Sequence, residues 1–125
     1  MLSNAQTGSW KVSVNNKLLL STSKEDEKIN TRNITVTSWK KKGYLEIRFK
    51  EHNPNTWRRS FLFFDESDNQ LLAKDSVTYV KIPLTTLRKL FTGKKQIRIY
   101  TIIAPLDPNI AIRMRRVHLI TLKLP

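Results

Sequence analysis

Apolar and polar residues alternate along most of this chain with a period of two, the spacing that is typical of β-strands. The clearest example lies between residues 44 and 50, where Leu45, Ile47 and Phe49 alternate with tyrosine and charged residues. This pattern predicts an antiparallel strand with one face in the core and the other in solvent. Further strands are predicted at residues 10–14, 17–22, 34–39, 57–64, 71–74, 77–82, 97–103 and 110–124.

Turn-forming residues divide these segments. Asn15 and Asn16 follow the first strand, and because asparagine tolerates positive φ, they predict a hairpin between the first two strands. The polar stretch 65–70 predicts a second hairpin, which the strand at 71–74 closes.

One short segment has helical spacing instead. Leu84, Leu87 and Phe91 recur at intervals of three and four, with Pro83 before them and Gly93 after them. Proline is favoured at the start of a helix and glycine just past its end. A helix of about two turns is therefore predicted over 84–91, and it needs tertiary packing to be stable.

The last segment is long for one strand, and two polar residues interrupt its apolar face. The even positions from Ile110 onwards are apolar except for Arg116 and His118. A β-bulge near Arg115 and Arg116 would relieve this conflict by shifting the alternation. Without such a shift, Arg116 and His118 point inward and must be paired. Together with Asp107, Arg113 and Arg115 they would form either a buried ion-pair cluster or a ligand pocket.

About eight evenly spaced strands, one short helix and turns between them predict an all-β fold, an antiparallel β-sandwich, with a closed β-barrel as the alternative. The chain shows no strand–helix–strand alternation of the kind that predicts a parallel sheet. Its 125 residues suit one core. The sequence therefore predicts a single β-sandwich domain over 10–125, preceded by a disordered or processed segment over 1–9.

Charge is the unusual feature of the composition. Lys and Arg number 23 against 10 Asp and Glu, which gives a formal net charge of +13. Such an excess favours anionic partners, namely nucleic acid, phospholipid headgroups, acidic glycans or acidic proteins. The alternative is a lysine-rich surface that serves solubility alone. The chain contains no cysteine, which excludes disulfides, thiol catalysis and thiolate metal sites.

The N-terminal residues bear on the compartment. Ser3-Asn4-Ala5 fits the small-x-small pattern that precedes a signal-peptidase cleavage site. One interpretation is that Met1 lies inside a longer precursor of an exported or periplasmic protein; the other is a polar, disordered N-terminus. The longest apolar runs are the length of strands, so no membrane insertion is predicted.

Residues for catalysis or metal binding form no specific pattern. His52 and His118 are isolated, and no serine has the sequence context of a nucleophile elbow. The acidic loops 25–27 and 65–68 would suit a calcium site, but turn chemistry explains them more simply. The sequence therefore predicts no enzyme, no cofactor and no metal site.

Arginines near aromatic residues are the best-supported candidate for function. Such a surface on a β-sheet suits single-stranded nucleic acid, acidic glycans or a protein partner; the alternative is that the side chains merely cover the sheet. The candidate ligand-binding residues are Arg48, Trp57, Arg58, Arg59, Arg98, Arg113 and Arg115.

These observations predict a non-enzymatic binding module with a basic surface, whose partner is an anionic ligand or a protein. One alternative is a β-barrel that binds single-stranded nucleic acid, and another is an exported structural protein of a surface assembly. The sequence predicts no particular oligomeric state.

Overall fold

The computed structural model describes residues 8–51, 57–75, 78–105 and 115–125. These contain nine strands and two short helices. The strands are β1 (Gly8–Val14), β2 (Lys17–Thr22), β3 (Thr31–Asn33), β4 (Tyr44–Glu51), β5 (Trp57–Phe64), β6 (Gln70–Lys74), β7 (Tyr79–Pro83), β8 (Gln96–Pro105) and β9 (Val117–Lys123). The helices are α1 (Val36–Lys40) and α2 (Leu84–Leu90).

The strands form two sheets that pack face to face. Sheet 1 has the order β2-β1-β4-β7, and sheet 2 has the order β3-β9-β8-β5-β6. Neither sheet closes on itself, so the predicted β-sandwich is confirmed and the barrel alternative is wrong. The described strands pair antiparallel with one exception, because β3 runs parallel to β9.

Both predicted hairpins are present. Asn15 and Asn16 have φ values of 52° and 67°, which suit the tight turn whose twist matches that of the flanking strands. The β5–β6 hairpin closes around Asp68, which also has a positive φ. β1 begins at Gly8, two residues before the predicted domain boundary, and residues 1–7 lie outside the described part of the chain.

The core lies between the two sheets and fits the predicted alternation. In β4 the side chains of Leu45, Ile47 and Phe49 are buried, whereas their polar neighbours face outward. Trp10 of sheet 1 stacks on Phe49 with ring centroids 5.8 Å apart. Its indole Nε1 donates to the carbonyl oxygen of Leu119 in sheet 2 over 3.0 Å. Buried residues of both sheets therefore share one core.

The predicted strand at 34–39 is wrong. Its β-branched residues suggested a strand, but Val36–Lys40 form α1. The side chain of Thr35 accepts a hydrogen bond from the backbone N–H of Ser38 and so caps the helix. Trp39 then packs, partly buried, against the core, and a good N-cap with this aromatic contact outweighs weak strand propensity.

Helix α2 matches its prediction closely. It spans Leu84–Leu90, buries Leu84 and Leu87, and is preceded by Pro83. Gly93 has a φ of +76°, which is the left-handed conformation expected of a glycine beyond the end of a helix.

The last strand differs from its prediction in length and in the position of the irregularity. β9 begins at Val117, after Arg115 and Arg116, while residues 106–114 lie outside the described part. The register shift falls between Ile99 and Tyr100 of β8, opposite Leu119. The bulge predicted near Arg115 and Arg116 is therefore misplaced. Its position three to four residues later, at Leu119, lets Leu119, Ile120 and Leu122 face the core while His118 lies on the other side of the sheet.

Candidate functional site

The outward side of sheet 1 carries tyrosines and cations on three adjacent strands. Strand alternation turns its outward residues away from the core, and the register places Lys11 opposite Arg48, Arg48 opposite Tyr79, and Glu46 opposite Lys81. We call this surface the basic face. It consists of Lys11, Tyr44, Glu46, Arg48, Lys50, Tyr79 and Lys81.

Each tyrosine of the basic face is paired with a cation from the neighbouring strand. The guanidinium carbon of Arg48 lies 4.3 Å from the ring centroid of Tyr79. The Nζ of Lys81 lies 4.4 Å from the ring centroid of Tyr44. Tyr44 and Tyr79 nevertheless stay 45% and 39% exposed, so the rings and the cations are both accessible from solvent.

Glu46 is the only carboxylate on the basic face within the described ranges. Its Oε2 accepts a hydrogen bond from the Tyr79 hydroxyl over 2.5 Å. This hydrogen bond, aided by burial and by the carboxylate charge, raises the pKa of Tyr79 above its ordinary value. Tyr79 therefore stays protonated at neutral pH and holds Glu46 in a fixed position.

The outward side of sheet 2 has similar residue types in a different arrangement. Phe64, Tyr100 and His118 are buried there, and Tyr100 meets each of the other two rings edge to face at 5.4 Å. The guanidinium carbon of Arg116 lies 4.3 Å from the Tyr100 ring centroid and 4.7 Å from that of Phe64. We call Phe64, Arg98, Tyr100, Arg115, Arg116 and His118 the arginine cluster.

Acidic residues from loops neutralise the arginine cluster. Asp68 pairs with Arg116 at 2.8 Å and with Arg98 at 3.6 Å. Glu25 forms an ion pair with Arg115 and accepts a hydrogen bond from the backbone N–H of His118 over 2.9 Å. The arginines here therefore hold loops onto the sheet.

His118 is fully buried in this cluster. Its Nε2 and the Thr121 hydroxyl are hydrogen-bonded at 2.7 Å, whereas its Nδ1 has no partner among the described residues. Burial lowers the pKa of His118 below its ordinary value, which keeps the ring neutral. The register shift at Leu119 removes the condition under which Arg116 and His118 would point inward; Arg116 precedes β9 and lies partly exposed on the outward side.

The predicted ligand-binding residues do not form one site. Arg48 lies exposed on the basic face, whereas Arg59 is buried between the sheets. Arg59 pairs with Glu51 at 2.5 Å and lies 3.7 Å above the ring of Phe49. Its Nη1 also donates to the Thr101 hydroxyl. Arg59 is therefore buried, and its guanidinium is held by Glu51 and Thr101.

The other candidates lie on or near sheet 2. Arg58 is exposed on its outward side, opposite Ala104, while Arg98 and Arg115 are held in ion pairs. Trp57 is in β5, but its side chain lies outside the described part, as does all of Arg113.

Sequence reasoning missed Lys11, Tyr79 and Lys81 as members of a site. The alternation around the buried residues Val80 and Ile82 places Tyr79 and Lys81 on an outward face. The pairing of β7 with β4, which brings them beside Arg48 and Tyr44, comes from residues more than thirty positions apart. Local patterns carry no information about such a pairing.

The aspartates of the acidic loops accept hydrogen bonds from the backbone of their own turns. Asp65 Oδ1 accepts from the backbone N–H groups of Ser67 and Asn69, and its Oδ2 pairs with Lys94 at 2.9 Å. Led by the Asn69 backbone hydrogen bond, these contacts hold the pKa of Asp65 well below its ordinary value. Asp26 likewise accepts from two backbone N–H groups.

Residues 8–51, 57–75, 78–105 and 115–125 contain neither a cluster of metal ligands nor a membrane-spanning helix. In these ranges, no three His, Asp or Glu side chains come close enough to hold a metal ion. No helix in the same ranges has the length and apolar character needed to cross a membrane.

Comparisons with protein-family models, with curated proteins and with solved structures found no match for this chain.

Proposed function

We propose that this chain is a non-enzymatic β-sandwich module that binds an anionic partner through the basic face. One observation carries the proposal: Tyr44 and Tyr79 stay exposed with a cation over each ring, and Glu46 is the only carboxylate beside them among the described residues. Exposed cations that lack acidic partners attract anionic ligands, and exposed aromatic rings add stacking contact.

The arginine cluster supports this choice by contrast. Its cations are neutralised by Asp68 and Glu25, and its rings are buried. A ligand would have to displace these contacts to bind there. On the basic face only the contacts of Arg48 and Lys81 with the tyrosine rings would have to shift, and no ion pair of a described residue would be lost.

The non-enzymatic part of the proposal rests on the titratable groups. His118, the only histidine in the described ranges, is fully buried and has no access to a substrate. A general acid or base for neutral pH must reach the reacting group. On the basic face, the carboxylate Glu46 is instead engaged by the Tyr79 hydroxyl.

Chromatography on immobilised heparin, a sulfated polyanion, tests the proposal. The variant carries Arg48→Glu and Lys81→Glu on the basic face, and the control carries Lys74→Glu and Lys89→Glu at exposed positions on β6 and α2. Both proteins have the same net charge, so a difference between them reports position.

We expect the basic-face variant to bind heparin at least about tenfold more weakly than the control, since each surface cation contributes about 1 kcal/mol near a polyanion. Thermal denaturation should show both variants folded. Equal elution of the two variants would overturn the proposal, because binding would then depend on total charge alone.

A further inference from the structure

A half-open depression lies at one end of the basic face. It has a volume of about 330 Å³ and is lined by Asn15, Asn16, Lys42, Gly43, Tyr44, Glu46 and Lys81. This volume is at the lower end of the range for small-molecule sites. The depression is therefore large enough for one ring of a larger ligand.

The walls of the depression are held by backbone contacts. The N–H of Asn15 donates to the carbonyl oxygen of Tyr44 over 3.0 Å, and the Asn15 Nδ2 donates to the carbonyl oxygen of Ser38 over 3.2 Å. Gly43 leaves room for this packing, since a Cβ there would lie 1.5 Å from Asn15 Oδ1. The β1–β2 turn is thus docked onto the start of β4, and the shape of the depression is set before any ligand arrives.

Both donors and acceptors line this depression. Lys42 and Lys81 donate, whereas the Glu46 carboxylate and the amide oxygen of Asn16 accept. Glu46 Oε2 is occupied by the Tyr79 hydroxyl, and no described residue donates to its Oε1. The depression therefore offers one carboxylate oxygen to a ligand donor, next to lysines that suit a ligand anion.

This combination distinguishes between kinds of polyanion. A phosphate polymer presents acceptor oxygens and no donors, so Glu46 would repel it. A uronic acid carries hydroxyl groups, which donate, and one carboxylate, which accepts charge-assisted hydrogen bonds. Its flat ring face also suits the exposed ring of Tyr44, once Lys81, whose Nζ lies 4.4 Å from the centroid of that ring, turns to the ligand carboxylate. One uronate residue could therefore use the lysine, the ring and Glu46 together.

We propose that this depression is the binding subsite for one uronate residue of an acidic polysaccharide. The inference rests on the proposed function and names its ligand class. Further sugars would extend along β4 from Tyr44 towards Arg48 and Lys50, with Lys11 of β1 beside them. Arg48 lies four residues from Tyr44, which is about 14 Å along a strand, so it would contact a different unit of the chain.

Isothermal titration at low salt tests the subsite with four probes. These are an oligogalacturonate, the same oligosaccharide with its carboxylates methyl-esterified, inorganic polyphosphate, and a single-stranded oligonucleotide. The protein variants are Tyr44→Ala, Tyr44→Phe and Glu46→Gln. Tyr44 is exposed, and its contact with Asn15 uses the backbone oxygen, so all three variants should fold.

We expect the oligogalacturonate to bind at least about tenfold more tightly than its methyl ester, since esterification removes the charge that Lys42 and Lys81 attract. Tyr44→Ala should weaken oligogalacturonate binding about tenfold, through loss of ring contact, without changing polyphosphate binding. Tyr44→Phe should retain the wild-type affinity. Glu46→Gln should strengthen polyphosphate binding, because the repelling charge is gone.

Two results would overturn the proposal of a uronate subsite without contradicting the proposed function of the basic face. One is polyphosphate or oligonucleotide binding that is tighter than oligogalacturonate binding. The other is oligogalacturonate binding that Tyr44→Ala leaves unchanged while Arg48→Glu with Lys81→Glu abolishes it. If no probe binds, and heparin binding does not separate the two charge-reversal variants, the proposed function fails as well.

Discussion

The outward sides of the two sheets have similar residue types and opposite properties. On sheet 1, Arg48 lies over the exposed ring of Tyr79. On sheet 2, Arg116 lies over the buried ring of Tyr100 at the same distance of 4.3 Å, but it also pairs with Asp68 at 2.8 Å. An arginine over an aromatic ring therefore occurs both on a surface that is open to a ligand and on one whose side chains hold the fold together.

Acidic loops make the difference. The segment around Glu25 and the turn at Asp68 both fold onto sheet 2 and bring carboxylates to its arginines. Within the described ranges, Glu46 is the only carboxylate on the basic face, and a tyrosine hydroxyl occupies one of its oxygens. Whether an arginine is structural or available thus depends on which loops pack beside it.

The largest expected effect separates the two arginines that are most different in burial. Arg59→Met should lower the free energy of unfolding by about 3 kcal/mol, since it leaves Glu51 without its buried partner. Arg48→Met should lower it by less than about 0.5 kcal/mol, as is usual for exposed sites. Urea denaturation of both variants measures the difference. Equal losses would show that the cation over a ring, and not the buried ion pair, determines stability.

A smaller effect is expected from pH, and among the described residues we assign it to His118 on sheet 2. Because burial lowers the pKa of His118 below its ordinary value of 6.5, the unfolded chain binds a proton in a range where the folded protein does not. The contribution of His118 to stability should therefore be complete above about pH 6.5 and fall as the pH decreases below that value. Denaturation midpoints measured across this range check the direction.

The variant His118→Gln should show a flatter dependence on pH in this range, and His52→Gln serves as the control. Arg48→Met, on the basic face, should retain the wild-type slope, because Arg48 and His118 lie on different sheets. An unchanged slope in His118→Gln would mean that His118 is not the group responsible.

The smallest effect tests the role of the acidic loops directly. Asp68→Asn removes the ion pairs to Arg98 and Arg116 while keeping a residue that tolerates the positive φ. We expect a loss of about 0.5–1 kcal/mol in the free energy of unfolding, because Asp68 is half-exposed. Heparin should retain this variant more strongly than Asp75→Asn, which has the same net charge. Equal retention of the two would show that Asp68 does not mask its arginines.

The local patterns predicted the elements that depend on local chemistry. The asparagine pair at 15–16 gave the first hairpin, the leucine spacing gave α2, and the alternation in β4 gave its buried and exposed faces. The strand predicted at 34–39 was wrong, because its β-branched residues favour a strand while Thr35 caps a helix. β3 was missed because three residues are too few to form a detectable pattern.

The candidate site could be predicted only in part. Alternation on one strand places Tyr44, Arg48 and Lys50 together on its solvent-exposed face, and the sequence shows this. Arg58 and Arg59 are neighbours in the sequence, yet one is exposed and the other is buried. Strand alternation requires them to face opposite ways, but it does not say which of them faces the core.

The sequence by itself determined that this protein is cysteine-free, strongly basic and built mainly of β-strands, since composition, period-two alternation and turn residues are local properties. It left a sandwich and a barrel open, and the two open sheets of the structure decided for the sandwich. Only the tertiary structure decided which cations remain available. β7 brings Tyr79 and Lys81 beside β4, whereas loops distant in the chain bring Glu25 and Asp68 to the arginines of sheet 2. The physical reason is that electrostatic neutralisation depends on distance in space, and the pairing of distant segments leaves no local pattern in the chain.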